Sequence, residues 1–370
     1  MKKNLSYILV ITVLALLTGG WGSYGHKKIS EASALSYNQE MQDFNLWASF
    51  LADHASDADY RKQDDPNESP KHYIDIDSYY AFLLQGRIPQ TLDSVTGLYG
   101  HTFVYDNGIL PYATVATVDL LQHFFELNDL ENAKVVAADL GHYVGDGHMP
   151  LHITKNYDGD ETGNHGIHSR YESTMIRKFV DQIIYTGDSV SVVPDVTSYV
   201  FKYIYNNYKY IDSVLLADDY ATAIAGGATN NDIYTTALWD KSKGFTTQLM
   251  KNASHSLTEL IYTAWVKAGK PSISANAIEE YEMAHGSYLA QLTPNPFENS
   301  AKIRYSLIEN NLVDIKVLDL SGKLVDQLLH ENKSKGYYEL EWNPGNIAPG
   351  VYYMVMTTED SMRVRKIVHL

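Results

Sequence analysis

The sequence predicts a mainly α protein: a multi-helix domain followed by a small C-terminal β-sandwich. Two observations carry that reading. From Trp21 to about Gly286, apolar residues recur every three or four positions, the period of a helix with one buried face. Beyond Leu292 the period changes to two, and turn signals separate the stretches.

In chain order, residues 1–20 (MKKNLSYILVITVLALLTGG) read as a signal peptide. Lys2 and Lys3 open it, and Tyr7 to Leu17 form an apolar run too short to span a bilayer with ease. An uncleaved anchor is the alternative. Cleavage after Gly20 makes Trp21 the new first residue. Helical periodicity then covers Tyr112 to Glu126, Glu131 to Tyr143, Tyr171 to Ile184, Ser198 to Leu216 and Lys251 to Val266. Gly97, Gly108, Pro111 and Pro150 punctuate it. Residues 21–286 are the expected all-α domain, and 287–370 the linker and β-sandwich. In the latter, KIRYSL, DIKVLDL, YYELEW and VYYMVMTT alternate between turns at Ser321-Gly322, Lys335-Gly336 and Pro349-Gly350.

The formal net charge is −16, which argues against a protein that holds nucleic acid by a basic surface. A phosphate substrate stays open, because bound cations invert the local field. There is no Cys, so disulfides and thiolate metal sites are excluded, and any metal rests on His, Asp and Glu.

The chemistry concentrates in residues 142–172. His142 and Asp146 are four apart at a helix end and project from one face. Gly147 and Pro150 turn the chain, so that His152 can return to the same place. His168 and Glu172 repeat the four-residue spacing. Two helices that each present a His and a carboxylate suit zinc in a helical core. Structural histidines are the alternative, and the two pairs with His152 favour metal.

Trp21-Gly-Ser-Tyr-Gly-His26, an Ala-Asp segment, His72-Tyr-Ile-Asp and the two pairs together resemble the superfamily of zinc-dependent phospholipases C and single-strand nucleases. The resemblance covers about residues 21–270. It implies three zinc ions. The amine and carbonyl of Trp21 with His26 would hold one, and Asp59, His72 and His142 a second. Asp146 would bridge these two, and His152, His168 and Glu172 would hold the third. Asp57 is the runner-up to Asp59. The resemblance also gives Asp59 the role of orienting a shared water or taking its proton. Arg61 would stabilise the phosphate or the leaving oxygen, with a surface salt bridge as its alternative. Tyr73 and Asp75 would seat substrate.

The implied function is a secreted phosphodiesterase that releases phospholipid head groups. Cleavage of single-stranded DNA or RNA is the alternative, and a non-catalytic surface-binding protein stabilised by zinc is a second one. Glu172, the HSRYE motif and the short interval from His152 to His168 look like the phospholipases. Arg61 and His72-Tyr73-Ile74-Asp75 look like the nucleases.

The remaining features have plainer readings. The Tyr-rich stretch from Tyr199 to Tyr210 is expected to be a packed amphipathic helix. The calcium-like run Asp158 to Asn164 is expected to be a solvated loop at the cleft edge, and Lys62 to Pro70 a surface loop. His54, His148 and His165 lie near the ligands in sequence. Asp139, two helical turns before Asp146, is expected to tolerate substitution. Thr293-Pro-Asn-Pro-Phe297, IKVLDLSG, Trp342-Asn-Pro and the terminal Lys366 to Leu370 resemble the C-terminal sorting domain of the type IX secretion system. That implies the outer-membrane secretion machinery as partner, and a product that is secreted or attached to the cell surface. A generic binding β-sandwich is the alternative.

Overall fold

The computed structural model describes residues 21–273, 287–290, 295–320, 322–345, 347–359 and 361–370. The expected signal peptide, residues 1–20, lies outside them, as do Thr293 and Pro294 of the sorting segment. The chain divides into two compact units between Pro271 and Ser272. The first is helical and the second is built of strands. No helix of the described residues is long and apolar enough to cross a membrane.

The helix Asp232–Lys267 runs for 36 residues and forms the spine of the helical unit. Asn231 caps it, accepting from the Tyr234 N–H at 2.9 Å. The helix Leu110–Glu126 starts on Pro111, whose missing N–H costs nothing in the first turn. The helix Leu130–Gly147 is capped by Asp129 and packs against it. Gly22–Ser33 then lies close on Leu130–Gly147, and two glycines permit the approach. A Cβ at Gly141 would meet Ser30 Oγ at 2.9 Å, and one at Gly145 would meet His26 Nδ1 at 2.8 Å.

Three expected helices differ. The segment from Tyr171 opens as a π-helix, Arg170–Met175, becomes α over Ile176–Phe179 and ends in a 3-10 turn at Gln182. The Tyr-rich stretch is two helices, Val196–Tyr208 and Tyr210–Ile224. Asn206 and Asn207, poor helix formers, lie in the last turn of the first, and the Asn207 amide donates to the Gly147 carbonyl at 3.1 Å. Its tyrosines pack as expected; Tyr208, for instance, meets Phe82 edge-on at 4.9 Å. The expected helix at Lys251 is the second half of Asp232–Lys267.

In the second unit, β1 (Tyr288–Leu289), β2 (Ala301–Leu307) and β5 (Gly336–Trp342) form one antiparallel sheet. β3 (Asn311–Leu318), β4 (Leu324–Lys333), β6 (Gly350–Thr357) and β7 (Met362–His369) form the other, in the order β4-β3-β6-β7. Alternate residues such as Ile303, Ile315, Val317, Met354 and Ile367 enter one shared core. Trp342 closes it beside Phe297, and its indole N–H donates to Asp326 at 2.9 Å.

Candidate metal centre

His142 and Asp146 end the helix Leu130–Gly147 fully buried, with Nε2 and Oδ2 3.3 Å apart. Around them the fold gathers three groups whose donor atoms could each hold a metal ion: His26, His142 and Asp146; Asp59, His72 and His142; and His152, His168 and Glu172. The gap at Gly145 admits the His26 ring, which stacks on His142 at 3.9 Å. His26 Nε2 stands 3.3 Å from Asp146 Oδ1.

The short helix Asp57–Arg61 supplies Asp59, and the turn Ser69–His72 supplies His72. His72 Nδ1 is 3.1 Å from Asp146 Oδ2 and 3.0 Å from His142 Nε2. The turn Pro150–His152 brings in His152, with Nε2 3.2 Å from His168 Nε2 and 3.4 Å from Glu172 Oε2. His168 and Glu172 face each other at 3.1 Å across the start of the π-helix. His152 Nδ1 is also 3.4 Å from Asp146 Oδ1, so Asp146 links all three groups.

Main-chain carbonyls aim several of these rings. His142 Nδ1 meets Ala55 O at 2.8 Å, His152 Nδ1 meets His72 O at 2.7 Å, and His168 Nδ1 meets Tyr157 O at 3.2 Å. In each ring the other nitrogen, Nε2, then points at the cluster. Many of the inward atoms have no hydrogen bond. Both ring nitrogens of His26, Asp146 Oδ1 and both Glu172 oxygens are buried and unsatisfied.

Burial would raise the Asp146 carboxyl, but His142 and His152 outweigh it and hold the group well below the usual range. Burial and the neighbouring His142 depress His26, keeping it a neutral donor. Burial would also raise Glu172, and His168 and His152 outweigh it. Buried carboxylates and imidazoles whose donor atoms converge are costly by themselves. They match the donor set of zinc.

Of the carboxylates near residue 57, only Asp59 reaches the cluster. Asp57 pairs with His54 at 2.7 Å and Asp53 with Lys27 at 2.7 Å, both near solvent. Trp21 is fully buried beside Tyr171, and its carbonyl accepts from the Gly25 N–H at 3.1 Å. His142 belongs to two groups rather than one, because its ring lies between His26 and His72.

Arg61 is tied to Asp139 at 2.9 Å and to Glu68 at 3.3 Å. Asp139, expected to tolerate substitution, is thus the residue that anchors Arg61. The expectation of a surface loop from Lys62 to Pro70 is corrected, since Glu68 within it is only 1% exposed. Glu68 accepts from Lys71 at 2.8 Å and from the Tyr143 hydroxyl, and lies 3.5 Å from His72 Nε2. Its position four residues before His72 is the signal that would have found it. The run Asp158 to Asn164 is likewise more than a solvated loop. Asp158 accepts from the His168 N–H at 3.1 Å, and Asn164 is buried against Asp218 at 2.9 Å.

Arg170, a second residue missed, pairs with Asp218 at 2.9 Å and with the Tyr234 hydroxyl at 2.8 Å, fixing the start of the π-helix. His148 stacks on Tyr203, while His54 pairs with half-buried Asp57 and His165 with exposed Asp160. None of these three joins the cluster.

A cleft of about 430 Å³ opens on His72, His152 and His168. Tyr73, Tyr157, Asp75, Asp106 and Lys62 line it. Burial and the charge of Asp77 push Asp75 up to about 7.

Residues 276–369 match the family model described as a secretion system C-terminal sorting domain. The protein is therefore exported, either released or held at the cell surface. No curated protein matches the chain. Among solved structures, alpha toxin from Clostridium absonum is similar with a TM-score of 0.40 and 11% identity, covering 95% of this chain and 96% of that one. Alpha-toxin from an avian strain of Clostridium perfringens is similar with a TM-score of 0.41 and 10% identity, covering 95% of both.

Proposed function

We propose that the helical unit is a zinc-dependent phosphodiester hydrolase that releases head groups from phospholipids. One observation carries this: five histidines and three carboxylates converge in a buried cluster beside an open cleft, with their inward atoms largely unsatisfied. His26 and Asp146, with the Trp21 main chain, would hold one ion; Asp59, His72 and His142 a second, bridged by Asp146; and His152, His168 and Glu172 a third. When bound, zinc supplies positive charge to the non-bridging oxygens of a phosphate and lowers the pKa of a water towards neutrality.

The chain's own groups do the rest. Burial would raise Asp59, but His142 and Lys62 outweigh it and keep it ionised. An ionised Asp59 orients the attacking water and accepts its proton as the water oxygen bonds to phosphorus and the ester oxygen leaves. Lys62, 2.6 Å from Asp59 and lining the cleft, adds a positive charge where the phosphate would lie. The choice of lipid draws support from the helix Tyr80–Gln85, five residues beyond Asp75. Its Tyr80, Leu83 and Leu84 are 55%, 65% and 78% exposed, the kind of apolar surface that meets a membrane.

A nuclease is the second reading, favoured by Tyr73 and Asp75 lining the cleft beside His72. A neutral Asp75 carboxyl could donate to a base. The deciding experiment offers the zinc-loaded protein vesicles of phosphatidylcholine with phosphatidylinositol, and separately single-stranded DNA and RNA. Head-group release that a chelator abolishes and zinc restores, with about three zinc per chain by metal analysis, is expected from this ligand set. Preferential cleavage of the strands would establish the nuclease. Bound zinc with no turnover on any substrate would leave a surface-binding protein.

A further inference from the structure

A second cavity, of about 330 Å³, reaches the cluster at Trp21 and Asp59 and shares no lining residue with the cleft at His72. Its wall is unlike that of the first. Hydroxyls of Ser56, Ser173 and Thr174 line it, Tyr24 and Tyr60 flank it half-exposed, and Arg177 is its one cationic side chain. Asp59 is its one carboxylate, and Lys62 already sits 2.6 Å from that group.

Arg177 differs from its neighbours. Arg170 is paired with Asp218 at 2.9 Å and Lys178 with Asp232 at 2.8 Å. Among the described residues, Arg177 has no ion pair within 4.0 Å, in a chain with 45 acidic and 29 basic residues. Arg177 is exposed in a cavity walled by hydroxyls, where its charge is open to an anion. Its planar fork of N–H donors matches two phosphate oxygens at once.

We propose that this cavity receives the second arm of the diester, that the arm carries a phosphate of its own, and that Arg177 selects it. The proposal rests on the hydrolase reading, since a diester held at the cluster has two arms and, among the described residues, these two cavities reach the cluster. The shared chemistry is a second phosphate at a short distance from the first. The exposed apolar helix Tyr80–Gln85 favours a phosphorylated polyol head group as its source, and the next nucleotide of a strand is the other outcome of the test. In the phospholipid case, a phosphorylated head group is preferred to choline.

Calorimetric titration of the zinc-loaded protein separates these. The probes are myo-inositol 1,4-bisphosphate against myo-inositol 1-phosphate, and thymidine 3′,5′-bisphosphate against thymidine 5′-monophosphate. In one pair the bisphosphate should bind about tenfold more tightly, the scale of a hydrogen bond to a charged group. That pair names the source. The advantage should vanish in Arg177→Gln, persist in Lys178→Gln and shrink as salt rises. Absence of an advantage in both pairs overturns the proposal, as does one that survives Arg177→Gln or falls equally in Lys178→Gln. Hydrolysis of bis(4-nitrophenyl) phosphate by the unaltered protein tests the parent reading separately. No hydrolysis with the bisphosphate advantage intact would remove the hydrolase and leave the anion site.

Discussion

Glu68 stands 3.5 Å from Nε2 of His72, while Nδ1 of the same ring faces Asp146 at 3.1 Å. A buried carboxylate thus backs one face of a ring whose other nitrogen looks into the cluster. Carboxylates in that position fix the tautomer and raise the basicity of the ligating nitrogen. Glu68→Gln should therefore weaken zinc binding about 10- to 100-fold. Lys71→Met, which breaks a different contact of Glu68, should leave it nearly unchanged. A competition titration against a chelating dye reads both. Equal losses would make Glu68 a general structural hub.

Gly145 controls the entry of His26. A Cβ there would lie 2.8 Å from Nδ1 and 2.9 Å from Cε1 of His26, contacts that must shift. Gly145→Ala should cost about 1–3 kcal/mol of stability through overpacking. It should also lower the zinc count, because His26 is pushed from Asp146. Unchanged metal content with His26 still stacked on His142 would refute the argument.

Asp146 lies within 3.4 Å of His26, His72, His142 and His152. Asp146→Asn removes the charge that stands between the His26 and His72 groups. At least one zinc should be lost, and the barrier to hydrolysis should rise by several kcal/mol. Asp139→Asn frees Arg61 from its 2.9 Å partner and should have a smaller, measurable effect with full metal retained. Metal analysis and initial rates decide. Equal activities, or full metal in Asp146→Asn, would mean the centre lies elsewhere.

Asp75 gives a pH signature. Its carboxyl is raised from 3.8 to about 7, so between those values the folded state binds more protons than the unfolded. Stability from this group is complete below the unfolded value and is lost as pH rises through the folded one. Asp75→Asn cannot titrate there. Its Tm relative to the unaltered protein should therefore climb from pH 4 to pH 7 and then level off, with ~1–2 kcal/mol at stake after discounting for partial exposure. Thermal melts of both proteins at matched pH test this. A Tm difference that stays flat across the range would show an ordinary carboxyl.

Local pattern made much of the molecule legible. The switch from helical to alternating periodicity near Leu292 separates the two kinds of architecture, because buried faces impose their period on the sequence. The four-residue spacings of His142 with Asp146 and His168 with Glu172 put donors on shared faces before any tertiary contact is known. Absence of Cys limited those donors to nitrogen and oxygen. What spacing cannot fix is meeting across the fold. Asp59 rather than Asp57 enters the cluster because the short helix buries one side and leaves Asp57 to His54. His142 serves two groups because Gly145 lets the His26 ring lie against it. Glu68 looked like loop polarity until the contacts with His72, Tyr143 and Arg61 enclosed it. The partner that decides a charged side chain's role sits, for Glu68 and Tyr143, 75 residues away. Burial and pairing at that range belong to packing, and only the tertiary structure decides them.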